Sequence, residues 1–176
     1  MAEPTVAAQL SLLLSRLLSN AEKAVRDLSA DEMHDTMDGR INSIAFDVWH
    51  VTRTVDNVIH FVFERQPPLW MADGFFEKWG LPRVDQGTGM ERDAAYALRF
   101  PEPAEFCRYV TTVAEAIVPR VGAMSDEYLS AITRIAPFGE VPRMEAIGQV
   151  LIAHGNGHLG RVDLRRSLLG KPGLGY

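Results

Sequence analysis

Four stretches of this chain repeat apolar residues at intervals of three and four, and that period constrains the fold more than any other feature of the sequence. Between Pro4 and Leu28 the positions are Val6, Leu10, Leu13, Leu17, Ala21 and Val25. A second stripe, Ile44, Val48, Val51, Val55, Val58 and Val62, begins near Asn42 or Ser43 and ends at about Arg65, where QPP stops a helix. The third starts at PEPAEF with Pro103 in its first turn and continues through Phe106, Val110, Val113, Ile117 and Val121; Pro119 should kink it or end it early. The fourth begins around Pro142, carries Ile147, Leu151, Val162 and Leu169, and closes at LGKPG. Each stripe is one face of an amphipathic helix that must be buried against another element. The expected fold is all-α: a four-helix bundle, formed as a single domain over residues 1–176.

About 35 residues, QPPLWMADGFFEKWGLPRVDQGTGMERDAAYALRF, join the second and third helices. A connection of that length in a compact domain is usually functional or disordered. Trp70, Phe75, Phe76 and Trp79 argue against disorder, so the segment is expected to be a packed crossover with short helical turns.

Composition excludes several classes of function. With 18 basic and 23 acidic side chains, a net charge of -5 and no basic run, neither nucleic acid nor an anionic membrane is the expected partner. No stretch approaches the roughly 20 apolar residues of a membrane span, since Arg16 and Asn20 interrupt the first candidate. The single cysteine, Cys107, cannot form an intrachain disulfide and reads as a buried core residue rather than a nucleophile. The N-terminus MAEPTVAAQLSLLLSRLL has no basic region before its apolar run and no small-residue cleavage site after it, which leads to an expected cytoplasmic location.

The fourth helix contains HGNGHLGR, residues 154–161, in which three glycines together give up roughly 3 kcal/mol of helix preference relative to alanine. On a wheel of about 100° per residue with Ile147 at zero, Leu151 falls near about 40°, His154 near about -20°, His158 near about 20° and Val162 near about 60°. Both histidines are therefore expected in the middle of the buried stripe. Two imidazoles one turn apart can meet one cation, as in the metalloprotease HExxH arrangement, although Gly155 stands where that motif has its glutamate. A third ligand must come from another helix. His50 shares a face with Thr54, Asn57 and Phe61, beside the apolar arc, and can point inward; His60 lies with Arg53 and Asp56 and is assigned to a polar face. His34, within DEMHDTMDGR, reads as loop. The same pattern also has a packing reading, in which Gly148 and Gly155 allow two helices to approach closely.

The segments VWHVTRTVDN at 48–57, PPLWMADGFFEKWGL at 67–81 and HGNGHLGRVDLRRSLLGKPGLGY at 154–176 resemble, in order and spacing, those of the DinB-like superfamily of bacterial four-helix bundles. The resemblance implies a metal triad of His50, His154 and His158, and makes Asp56 the family's acidic residue after the first histidine, with a structural role because the wheel turns it away from the site. Asp47, one turn before His50, either orients a ligand, lines the pocket or is a solvated charge. Arg161, one turn beyond His158, pairs with an anionic substrate or with Asp47 or Glu145. The resemblance further implies a homodimer and a divalent ion, with zinc as the default and nickel or iron as other candidates. It also implies a low-molecular-weight thiol, such as mycothiol or bacillithiol, as cosubstrate of an S-transferase acting on a small molecule. A metal-dependent hydrolase with Asp47 as base and a non-catalytic, stress-related metal-binding bundle are the alternatives. A transferase should have a pocket beside the metal with cationic groups; a vestigial site should be filled by side chains.

Overall fold

The protein is described here by a computed structural model, which covers residues 4–175; residues 1–3 and Tyr176, counted in the single-domain expectation, lie outside the described residues. Helix α1 (Val6–Arg26) starts where the Thr5 hydroxyl accepts from the Ala8 amide. A short α2 (Ala30–His34) follows, opened by a capping box in which the Ser29 hydroxyl and the Glu32 carboxylate each accept from the other's backbone amide. Helix α3 (Ile44–Asp56), capped by Ser43, passes without a break into a wider π segment, Asn57–Phe63. The crossover carries α4 (Leu69–Ala72), α5 (Phe75–Trp79) and α6 (Arg92–Ala97), which bears out the expectation of packed helical turns.

Helix α7 (Pro103–Gly122) runs through Pro119 and continues to Gly122, so of the two expected effects, a kink or an early end, the early end does not occur at the proline. The missing amide removes one intrahelical bond, and only the three residues Arg120–Gly122 follow it in the helix. After α8 (Asp126–Ser130), the chain forms a feature that helical periodicity did not indicate. It is an antiparallel hairpin of β1 (Ile132–Ile135) and β2 (Gly139–Pro142), with Ile132 opposite Pro142. The last rod comprises α9 (Arg143–Ala146), a second π segment (Ile147–Ala153) and α10 (His154–Leu168).

Helix α1 packs along α7 and also against α3 and α10, and α3 packs against α10 and α7. Every residue of α3 is buried, which is why its Asp47, His50, Arg53 and Asp56 need internal partners. In α1 the buried stripe is Ala7, Leu14, Leu17, Leu18, Ala21, Ala24 and Val25, whereas Val6 and Leu13, expected in the core, are exposed. The run Leu12, Leu13, Leu14 satisfies more than one helical phase, and of the three the fold buries Leu14. No helix among the described residues is long and apolar enough to cross a membrane.

Candidate metal centre

The π segment before α10 decides where the histidines point. In a π turn the bond runs from i to i+5, so one extra residue is inserted and everything beyond it lags the 3.6-residue wheel by roughly 100°. With that correction Gly155, Leu159 and Val162 come to roughly -20°, 20° and -40°, facing the core, and all three are buried. His154 and His158 move to roughly -120° and -80°, onto the flank. The expected position in mid-stripe is therefore corrected: His154 is exposed and His158 half-buried at the seam between α3 and α10. Gly155 meets the packing reading, because a Cβ there would lie 2.9 Å from Leu17 and 3.4 Å from Val51; Gly148 has nothing within 4 Å and does not.

At that seam the structure brings together the three expected histidines. His50 Nε2 lies 3.3 Å from His154 Nε2, which lies 3.0 Å from His158 Nε2, and one nitrogen from each ring falls within 4.8 Å of the others. The opposite nitrogen of every ring is engaged. His50 Nδ1 is 2.5 Å from the Gln86 carbonyl oxygen, His154 Nδ1 is 3.2 Å from that of Val150, and His158 Nδ1 is 2.8 Å from Asp47 Oδ1. Carbonyls and carboxylates only accept, so each Nδ1 is the protonated nitrogen and each neutral ring presents a bare Nε2 lone pair. Two such nitrogens cannot hydrogen-bond to each other. Three converging lone pairs repel unless a cation lies between them, and burial disfavours protons as the remedy: desolvation pushes the His50 pKa down to about 4 and also lowers that of His154. A tetrahedral zinc with Zn–N bonds of about 2.1 Å holds its ligand nitrogens about 3.4 Å apart, so the donor set fits such an ion.

Asp47, buried on the first turn of α3, accepts from His158, and the exposed Arg161 side chain approaches both. Arg161 Nη2 lies 3.4 Å from Asp47 Oδ1 and 2.6 Å from His158 Nδ1. The carboxylate is the stronger acceptor, so the His158 proton goes to Asp47 and the guanidinium adds to the same carboxylate. Of the roles left open for these two residues, the geometry supports ligand orientation for Asp47, and it pairs Arg161 with Asp47 rather than Glu145.

Gln86 was not anticipated. The Gly87 amide donates to Asp85 Oδ1 at 2.7 Å, and Gly87 adopts φ +88° with its Cα so close to α3 that a Cβ would meet Phe46 at 2.8 Å. That approach delivers the preceding carbonyl to His50. Its only sequence signal is the pair of glycines in DQGTG.

The other histidines stay apart. His60, assigned to a polar face with Arg53 and Asp56, does meet Asp56, its Nδ1 2.8 Å from Asp56 Oδ1, but that polar face is buried. His34, read as loop, closes α2, with Nδ1 on the Ala30 carbonyl and Nε2 accepting from the Phe100 amide. Asp56 has the expected structural role. Its carboxylate accepts from the Leu69 and Trp70 amides and the Tyr109 hydroxyl, each at 2.9 Å, and so ties the crossover to α3 and α7.

Two cavities lie near the seam, one lined by His154 itself and one joined to it only by the Asp47 and Arg161 side chains that contact His158. One, of about 520 Å³, is lined by Asp47 and Arg161. The other, of about 460 Å³, lies between the two π segments and the hairpin and is lined by Asn57, Val58, Phe138, Val150 and His154. The flank at His154 is open, and on the other flank Asp47 and Arg161 stand between His158 and the cavity.

Comparison with known proteins places these features in context. The family model of the DinB superfamily matches residues 13–162, a span that contains all three histidines. A crystal structure described as the conserved protein of locus from Enterococcus faecalis superposes with a TM-score of 0.73, at 20% sequence identity, over 93% of this chain and 96% of that one, a likeness of fold. No functionally curated protein matches the chain significantly.

Proposed function

The chain belongs to the DinB superfamily, and on that footing we propose that it is a metal-dependent enzyme that transfers a low-molecular-weight thiol, of the mycothiol or bacillithiol kind, to a small electrophile. The observation that carries this reading is the set of three bare Nε2 lone pairs, each fixed by an acceptor on the far side of its ring. His50, His154 and His158 would hold a divalent ion, with zinc as the default and nickel or iron as alternatives. Such an ion supplies Lewis acidity that lowers the pKa of a coordinated thiol. Three protein ligands leave a position for an exogenous group, as catalytic sites do.

The residues around the triad set the rest of the chemistry. Asp47 fixes the His158 tautomer, and the Gln86 carbonyl fixes that of His50. The cavity lined by His154 gives a small molecule an approach to the seam. In the overall transfer the S–H bond is lost and its proton passes to solvent; the sulfur electron pair forms the new bond, and the leaving group departs with the pair of the bond that breaks. Metal-assisted hydrolysis is less well supported, because it needs a free general base and Asp47 already accepts from His158 and Arg161.

The test is metal content of protein purified without a histidine tag, followed by calorimetric titration with mycothiol, bacillithiol and glutathione. The reading requires close to one metal per chain and thiol binding that disappears on chelation. The double substitution His154→Ala with His158→Ala should abolish stoichiometric metal binding in a protein that is still helical. Metal without thiol binding refutes the transferase reading, and full occupancy in the double variant moves the centre elsewhere.

A further inference from the structure

The cavity on the Asp47 side draws on three separate parts of the chain. Arg40 comes from the loop after α2, Arg92 from α6, and Arg161 and Arg165 from α10, with Asp47 as the one acidic residue among those lining it. Four cations against one carboxylate give the lining a local charge of +3 (4 - 1), in a chain whose net charge is -5. Fold stability does not ask for this convergence, since like charges brought together from independent elements repel. Arg165 has a clear structural duty: its buried guanidinium donates to the Asn42 carbonyl and pairs with Asp35. Arg161 pairs with Asp47 through one nitrogen at 3.4 Å while its side chain stays exposed, and Arg40 and Arg92 are exposed. Met37, Ile41, Leu164 and Leu168 supply apolar wall between the cations.

We infer that this cavity is an anion subsite of the metal centre. It takes the carboxylate of a small molecule whose other end reaches the histidine seam, with the carboxylate paired to Arg40, Arg92 and Arg161 and the connecting carbons laid on Ile41 and Leu164. Asp47 and Arg161 line the cavity and also contact His158, so they form a wall shared with the histidine seam, although none of the three histidines lines the cavity itself. A cavity of about 520 Å³ fits a metabolite-sized ligand rather than a polymer. Resting on the thiol-transfer reading, the inference narrows the cosubstrate to a carboxylate-bearing thiol; the alternative source of the same chemistry is a carboxylate on the acceptor.

The experiment uses zinc-loaded protein and three probes in calorimetry: 3-mercaptopropionate, its neutral counterpart 2-mercaptoethanol, and succinate. The expected result is roughly tenfold tighter binding of 3-mercaptopropionate than of 2-mercaptoethanol, a preference lost in the Arg40→Ala, Arg92→Ala double variant. Both side chains are exposed, so an unchanged melting temperature will confirm that the variant is folded. Equal affinities for the two thiols in both proteins overturn the anion subsite and leave thiol binding intact. If neither thiol binds but succinate does, and the double variant loses it, the subsite stands, the thiol reading falls, and the carboxylate belongs to the acceptor. No binding of any probe overturns both.

Discussion

His158 Nδ1 donates to Asp47 Oδ1 across the α3–α10 seam at 2.8 Å, and this bond turns the other ring nitrogen toward His50 and His154. A carboxylate behind a histidine ligand fixes its tautomer and raises its basicity, and losing it costs metal affinity by about 10- to 100-fold. Asp47→Asn should therefore weaken zinc binding by about that factor, measured by competition against a chromophoric chelator, while binding stoichiometry stays the same. Unchanged affinity would reduce Asp47 to a pairing partner for Arg161.

The Gln86 carbonyl plays the same part for His50, and Gly87 makes its position possible. Alanine at 87 would hold a left-handed φ at a cost of about 1 kcal/mol or more, and its Cβ would meet Phe46 at 2.8 Å and Trp49 at 3.2 Å. Relief requires the loop to lift, taking the Gln86 carbonyl from His50. The expected outcome for Gly87→Ala is a loss of both stability and zinc affinity. A variant that loses stability alone would show that the carbonyl does not orient the ligand.

The contrast between Asp47 and Gln86 indicates what the sequence could disclose. Side chains at helical spacing were legible: the pair at 154 and 158, His50 on a facing helix, and Asp47 one turn before it. Gln86 acts through its backbone, so residue type carried no signal. A fixed-pitch wheel could not register the π segment at Ile147–Ala153, which rotates the two histidines from mid-stripe to the flank. The hairpin has a local signal, because ITRIAPFGEVP joins short β-prone runs through a Pro- and Gly-containing turn, but it lies between two stronger helical patterns. His60 was legible as a neighbour of Asp56, but not as buried, because a polar face is covered where its groups satisfy one another and the apolar period does not register that.

Asp56 holds the most heavily connected buried site in the protein. Besides three donors from the crossover and α7 it faces Arg53, whose wholly buried guanidinium lies 3.7 Å from the carboxylate and 5.2 Å from the Trp70 ring centroid. Arg53 Nε and Nη1 find no hydrogen-bond partner among the described residues, so Asp56 is the charge that balances them. Removing one partner of a buried pair costs about 3–5 kcal/mol. Asp56→Ala should lower unfolding free energy by that order in a denaturant titration. A cost below about 1 kcal/mol would mean that water already solvates Arg53.

Cys107 is half-buried on α7, where desolvation first, and then the negative charge of Glu22, push its thiol pKa up to about 12. A raised thiol pKa keeps the reactive thiolate scarce until the pH nears that value. Iodoacetamide at pH 8 should modify the folded protein far more slowly than the urea-unfolded chain, and the folded rate should keep rising through pH 10. Equal rates would show that the sulfur is freely solvated.

The glycines of HGNGHLGR separate into two physical roles. At Gly157 and Gly160 an added Cβ would meet nothing within 4 Å, so Gly160→Ala should recover most of the helix preference, about 0.5–1 kcal/mol, and raise the melting temperature. At Gly155 the same gain is opposed by contacts of 2.9 and 3.0 Å with the two Leu17 methyls and 3.4 Å with Val51. Overpacking of a core costs about 1–3 kcal/mol, and Leu17 is buried with little room to turn, so packing should outweigh propensity. Because Gly155 adjoins His154, a shift of α10 away from α1 that relieves the clash with Leu17 also displaces His154 and disturbs the seam. Gly155→Ala should therefore melt at a lower temperature and bind zinc more weakly, and Gly160→Ala should do neither. Stabilisation by both substitutions would show that the helices are not held in contact at Gly155.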